Sequence, residues 1–361
     1  MKFLRELKDL NGLKVLLRLD FNVPIEGVNI LDDFRIKKVI PTIRHLQEKG
    51  SKIIIISHIE TPKDSPSLNP VYLYLKKIGI ECFFLKNYKN ALFEIEKLPF
   101  GGIIILENLR EHEGEKKNDK KFAKELASLG DIYVNEAFAV SHRSHASVSA
   151  ITEFIPSYAG FLFEDEIKHL STAFNPDNPS LFILGGAKFE TKLPLIEKFI
   201  NIFDKVFVGG ALANNFFKED GKEIGKSLVS PENFNLSRFV GNPRLMLPSD
   251  SVINDDMILD VGQKTVELLI REINKAKYIL WNGPLGEYEK GYKKPTLEIA
   301  KAIAETTQTG VKSVLGGGDT IATIRELDIE NRFTFVSTGG GAMLEFLADG
   351  TLPGIEALER G

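Results

Sequence analysis

Nine short apolar runs, most rich in β-branched residues and all but one ending in glycine or a polar side chain, recur along this chain between stretches of helical spacing. They are KVLLRLD (14–20), KIIIISH (52–58), GIIILEN (102–108), DIYVNEA (131–137), LFILGG (181–186), KVFVGG (205–210), YILWNG (278–283), KSVLGGG (312–318) and FTFVSTGGG (333–341). Strands that are apolar on both faces and alternate with helices belong to parallel sheets covered on each side. The spacing therefore predicts an α/β, doubly wound architecture. The intervening FRIKKVIPTIRHLQEKG carries apolar residues at helical spacing and stops at Lys49-Gly50 before the next strand, and KKFAKELASLG and TKLPLIEKFINIF behave alike.

A chain of 361 residues exceeds what one hydrophobic core usually organises, so two domains are expected. The best break lies in AFNPDNPS (173–180), with four runs before it and five after. Hydrophobic residues at 43% and charged residues at 27% fit a compact soluble protein, and a net charge of −4 with interspersed signs disfavours nucleic acid or an anionic membrane as partner. Cys82 is the only cysteine, which rules out an intramolecular disulfide. The N-terminal MKFLRELKDL does not read as a signal peptide, and no apolar run is long enough to span a bilayer. A cytoplasmic monomer is expected.

In open parallel sheets ligands bind beyond the carboxyl ends of the strands. The first four runs end in Asp20 and Asn22, His58, Asn108 and Arg110, and Asn135 with Ser141, His142, Arg143 and His145 soon after; Arg35 opens a helix nearby. Each arginine alone could be a solvated or salt-bridged surface residue. Together they suit a small, highly anionic ligand, because guanidinium binds carboxylate and phosphate bidentately.

The later runs end mostly in glycine, and GGAKFETK, GGGDT and STGGGAMLEFL each open a helix. Lacking a Cβ, glycine lets backbone N–H groups approach phosphate at a helix N-terminus, so three such loops suggest a polyphosphate. Lys188 and Lys192, four residues apart, are expected on one helix face around an anion, or else as two solvated lysines. Asp319 suits Mg²⁺ or an N-cap. In WNGPLGEYE, Asn282, Pro284 and Glu289 follow a strand, and the Glu289 carboxylate could hold a ribose. No GxxxxGK[ST] loop and no HRD or DFG set is present, and the histidines lack zinc spacing.

The strings LRLDFNVP, LDDFRIKKVIPTI, ILENLREHEGEKKND, YVNEAFAVSHRSHAS, ILGGAK, EIGKSLV, WNGPLG, LGGGDT and STGGGAMLEFL with LPGIEAL resemble, in order, the signature blocks of phosphoglycerate kinases over about residues 12–358. The resemblance implies two Rossmann-like parallel-sheet domains separated by a cleft. A triose-binding domain would span 1–158, a hinge helix 159–176 and a nucleotide-binding domain 177–344, with 345–361 packing back on the first. Asp20, Asn22, Arg35, His58, Arg110 and Arg143 would hold 3-phosphoglycerate or 1,3-bisphosphoglycerate. Lys192, Gly210, Asn282, Pro284, Glu289, Gly316, Gly317, Gly318, Asp319 and Thr320 would hold ADP or ATP, with Mg²⁺ on Asp319. Arg35, Lys188, Lys192 and Gly341 would meet the charge of a phosphoryl group in direct in-line transfer after domain closure.

The chain departs from the family's usual pattern at His58-Ile59-Glu60-Thr61-Pro62, where His-Leu-Gly-Arg-Pro is common: threonine replaces a triose-binding arginine and a carboxylate is added. Thr191 and Ala211 also differ, and LPSDSVINDDMILDVGQ is shortened. A catalytically impaired nucleotide-binding paralogue is the second reading. A nicotinamide-dependent dehydrogenase is the third, against which stands DFNVP where GxGxxG would follow the first strand.

Overall fold

The computed structural model describes residues 1–60, 66–87, 91–232 and 234–361. It contains two compact units, one of Met1–Lys168 with Thr351–Gly361 and one of His169–Gly350. The chain passes from the first to the second within the helix Phe161–Ser171.

In the first unit the strands are β1 (Lys14–Arg18), the hairpin β2 (Ile25–Glu26) and β3 (Asn29–Ile30), β4 (Lys52–Ile56), β5 (Phe83–Leu85), β6 (Ile103–Leu106), β7 (Ile132–Asn135) and β8 (Ser157–Ala159). Apart from the hairpin they form one parallel sheet of six strands in the order β5-β6-β4-β1-β7-β8. Side chains alternate across a strand, so Val15, Leu17, Ile53, Ile55, Ile103, Ile105 and Val134 share a face. That face packs with Ile36, Val39, Ile43 and Leu46 of the helix Phe34–Glu48 in one buried cluster. The opposite-facing Leu16, Ile54, Ile56 and Ile104 are buried too, which is why these strands read as unbroken apolar runs.

The second unit carries β9 (Ser180–Leu184), β10 (Lys205–Val208), β11 (Leu245–Met246), the antiparallel hairpin β12 (Ser251–Asn254) and β13 (Met257–Val261), β14 (Tyr278–Asn282), β15 (Lys312–Gly316) and β16 (Phe335–Val336). Its parallel sheet, also of six strands, runs β11-β10-β9-β14-β15-β16. One side of it holds a cluster of rings, with Phe182 crossing Phe199 at 5.5 Å and Phe203 lying 5.9 Å from Tyr278.

The expected α/β architecture is present. The strand inventory is not complete in the sequence reading, because β5, β8 and β11 are edge strands of two or three residues, too short to show a pattern. The run 333–341 shortens to β16, since its glycines form a turn and a helix start.

The C-terminal helix Pro353–Arg360 buries Leu352, Ile355, Ala357 and Leu358 in the first unit. Gly354 N donates to Ser141 O at 2.8 Å, and a Cβ at Gly354 would meet Ser141 Cβ at 2.7 Å, so this close approach requires glycine. Leu358→Ala should lower the stability of the first unit by about 2–5 kcal/mol, read as a lower midpoint in chemical denaturation; an unchanged midpoint would show that this helix does not hold the unit together.

Candidate functional site

In the first sheet the chain leaves β1 for its neighbour β4 on one side and β7 for β8 on the other, which makes the β1–β7 boundary a topological switch point, the kind of place where open parallel sheets bind ligands. The side chains there surround a buried cation. Arg18, the last residue of β1, is fully buried; its Nε donates to Ser147 Oγ at 2.8 Å, Nη1 to Leu19 O, and Nη2 lies 3.2 Å from His58 Nδ1. Ser147 is in turn held by Glu115, which accepts from its N–H at 3.0 Å and its hydroxyl at 2.7 Å.

Because a guanidinium only donates, His58 Nδ1 is the acceptor and Nε2 carries the proton. Burial, then Arg18 and its neighbouring arginines, push His58 well below its ordinary pKa, so the ring is neutral. His145 is lowered to about 4 by burial and by Arg110 and Arg143, and His142 is lowered as well. These histidines add hydrogen-bonding capacity without adding charge.

Arg35 Nη1 donates to Asp20 Oδ2 at 3.0 Å and to Asn22 O at 3.1 Å, which fixes the guanidinium over the turn after β1. Asn22 Oδ1 accepts from Glu60 N at 2.9 Å. Asn108 ties the β4 and β6 ends together through Ile59, and its Oδ1 also accepts from Arg110 N at 3.1 Å. Arg110 is nearly buried and pairs with Glu60; its Nε and Nη2 are buried with no partner among the described residues. Arg143 Nε lies 3.2 Å from His142 Nε2. The structure thus groups Asp20, Asn22 and Arg35 at one strand end and His58, Arg110 and Arg143 around its neighbours. Thr61 lies outside the described residues.

In the second unit β9 and β14 are neighbours whose following turns interlock. Gly185 N donates to Asn282 O at 2.9 Å and Gly186 N to Pro284 O at 2.8 Å, while Gly283 N donates to Thr320 Oγ1 at 2.8 Å. Lys192 Nζ donates to Gly185 O beneath these turns. A Cβ on either Gly186 or Gly283 would come within 2.8 Å of that ammonium, at Gly283 it would also meet the Gly185 carbonyl, and both residues have φ above +90°, a conformation that favours glycine. Burial, assisted by Lys188, brings the Lys192 pKa down to about 8, with Asp319 acting in the opposite direction.

The expectation that Lys188 and Lys192 share a helix face needs correction. Lys188 is the exposed N-cap of the helix Phe189–Phe199, with φ −83° and ψ 89°, whereas Lys192 sits in the first turn and is buried. The helix starts later than the spacing suggested because the backbone first turns over the Lys192 ammonium.

A cavity of about 510 Å³ beside these turns is lined by Gly210, Pro284, Glu289 and Asp319 from the expected set. Lys192, Asn282, Gly316, Gly317, Gly318 and Thr320 do not line it. Asn282 instead donates to Gly316 O at 2.9 Å and so spaces β14 from β15, and Thr320 braces Gly283. Gly317 rather than Asp319 caps the helix Gly318–Glu326; Asp319 lies in the first turn, exposed and with no ion-pair partner among the described residues. Gly341 begins the helix Gly341–Asp349 and is exposed. Helix starts of this kind present unpaired N–H groups to anions.

Phosphoglycerate kinase is the family whose model matches this chain, over residues 4–350. The chain belongs to the phosphoglycerate kinase family. It is a kinase, and the family uses ATP or ADP as co-substrate. The phosphoglycerate kinase of Dictyoglomus turgidum is 40% identical over 98% of this chain and 97% of that protein, and that of Orientia tsutsugamushi 41% identical over 98% and 97%. Among solved structures, phosphoglycerate kinase from Pyrococcus horikoshii OT3 superposes with a TM-score of 0.87 at 31% identity, covering 99% of this chain and 98% of that one. The Coxiella burnetii enzyme gives 0.84 at 33%, covering 98% and 97%.

Sequence reasoning missed Arg18 and Asp260. The first was visible as a lone charge inside an apolar strand; the second lies in a hairpin with weak alternation. Asp260 lines the cavity, is almost fully buried, and accepts only from Val261 N, at 2.8 Å, among the described residues. Burial raises its pKa to about 7. Ionising it opposes folding, so its contribution is fully present below about pH 4 and is lost as pH rises through about 7. Asp260→Asn should therefore gain stability relative to the parent as pH goes from about 5 to 8, followed by thermal denaturation. A gap that shrinks over this range would mean that the buried carboxylate is stabilised instead.

Proposed function

We propose that this kinase catalyses reversible, Mg²⁺-dependent phosphoryl transfer between 1,3-bisphosphoglycerate and ADP, giving 3-phosphoglycerate and ATP, the glycolytic reaction of its family. The observation that carries the reading is Arg110: a nearly buried guanidinium with two nitrogens that find no partner among the described residues, set among neutral histidines and further arginines, is a site prepared for an oxyanion. The first unit then takes the triose through Asp20, Asn22, Arg35, His58, Arg110 and Arg143, with Asp20 and Asn22 orienting Arg35. The second takes the nucleotide in the cavity at Gly210, Pro284 and Glu289, its phosphates near Lys192 and the glycine-started helices, whose bracing depends on Asn282, Gly316, Gly317, Gly318 and Thr320.

Asp319 fits Mg²⁺, since it offers at the cavity a hard carboxylate with no ion-pair partner among the described residues and leaves the remaining positions to phosphate oxygens and water. Bound with the nucleotide, the metal supplies neutralisation of phosphate charge. Transfer is direct and in line, with the equatorial oxygens met by Arg35, Lys188, Lys192 and the N–H groups at Gly341, and it proceeds when the two units close. No covalent intermediate is required. The same reading has a cytoplasmic monomer acting on small molecules, its interspersed charges at a net −4 disfavouring nucleic acid or an anionic membrane as partner.

In a coupled assay of 3-phosphoglycerate with Mg-ATP, the parent protein should turn over. Lys192→Ala should reduce kcat by about 10²- to 10³-fold, the size of effect seen when one preorganised donor to a developing charge is removed. Thr61→Arg should lower the KM for 3-phosphoglycerate. A parent protein that binds Mg-ADP but shows no turnover overturns the proposal.

A further inference from the structure

Glu60 places a carboxylate among the cations of the proposed triose site. Its N–H, held by Asn22 Oδ1 at 2.9 Å, anchors the residue beyond the end of β4. From there its Oε1 accepts from Arg110 Nη1 and lies 3.9 Å from Arg143 Nη1. The two partners of the Arg110 pair differ sharply in exposure, 6% for the arginine side chain and 43% for the glutamate. Arg110 is fixed from behind, its backbone N–H donating to the buried Asn108 side chain at 3.1 Å. The glutamate side chain faces solvent and can swing away.

A guanidinium this buried is costly unless its donors are used, and Nε and Nη2 have no partner among the described residues. Glu60 serves the third nitrogen, Nη1, from within the chain. Any oxyanion that approaches Arg110 and Arg143 from solvent meets a carboxylate already there, of the same charge and the same hydrogen-bonding character.

We propose that Glu60 is a resident anion of the triose site: it occupies Arg110 and Arg143 in the ligand-free protein and is displaced by an anionic group of the substrate, so that it sets the apparent affinity for that substrate. The inference rests on the functional reading above. Ligand and glutamate compete for the same donors, so the ligand gains only the difference between the two contacts. A half-exposed charged pair is screened, which places the expected change on removing Glu60 at about three- to tenfold in triose affinity. Because the competition is over before the phosphoryl group moves, the change falls on KM for the triose rather than on KM for the nucleotide.

The test uses the full chain with Glu60→Gln, which keeps the volume and removes the charge, and Glu60→Ala, which removes both. Steady-state rates are measured with 3-phosphoglycerate varied at saturating Mg-ATP and then with ATP varied, and sulfate binding is followed as its stabilising effect on thermal denaturation. The KM for 3-phosphoglycerate should fall about three- to tenfold in both variants, with the KM for ATP within about twofold of the parent and sulfate bound more tightly. A triose KM that is unchanged or raised in both, together with unchanged sulfate affinity, overturns the proposal and leaves Glu60 a structural ion pair whose loss shows only in the melting temperature. Should the parent protein itself fail to turn over, it is the functional reading that falls. The sulfate titration then decides for Glu60, tighter binding by the variants upholding it and equal binding overturning it.

Discussion

The burial of Arg18 is the constraint around which the first unit is arranged. A guanidinium cannot shed its charge at any ordinary pH, so the interior must supply acceptors in fixed directions. Leu19 O, Ser147 Oγ and His58 Nδ1 do so, and they come from three separate parts of the chain. Satisfying Arg18 therefore locks together the ends of β1 and β4 and the segment after β7. The same contacts determine the histidine tautomer and, through field and burial, keep His58 and His145 neutral. What solvent reaches is a ring of donors mounted on a foundation that cannot easily move.

The second unit solves a related problem with backbone. Lys192 is a buried ammonium whose described partner is a carbonyl, Gly185 O, and whose surroundings are glycines with no side chain to exclude it. The turns after β9 and β14 hold each other through Gly185, Gly186 and Pro284, and Thr320 fastens Gly283 to the helix that begins at Gly318. Replacing glycine here would both strain a positive φ and displace the ammonium.

How much of this was legible follows from the range of the interactions. Strands such as β4 and β14 are buried on both faces and announce themselves as apolar runs; the polar or glycine residues that follow them mark the candidate sites, because open parallel sheets bind ligands beyond their carboxyl ends. The edge strands β5, β8 and β11 depend on a neighbour for their existence and left no pattern. Lys188 and Lys192 were assigned to one face by spacing alone, and the helix start decided otherwise. Asn282 and Thr320 brace turns and do not line the cavity, since only the fold reveals which way an amide or hydroxyl is spent. Arg18 was visible as a charge inside an apolar strand, but its task was not, because its partner Ser147 lies 129 residues away.

The contrast between the two sites has a consequence for how each can change. A site made of side chains on loops is adjustable one residue at a time, because Glu60 touches Arg110 and Arg143 without supporting the strands beneath them. Exchanging such a residue alters the charge a ligand meets while Arg18, Asn108 and Ser147 hold the frame. A site made of interlocked glycine turns has no such freedom, since its binding groups are the backbone whose path defines the fold. Variation should therefore collect at the proposed triose site, and the segment beginning at Glu60, where a carboxylate and a threonine stand in place of the glycine and arginine of the resembling motif, is where this chain shows it.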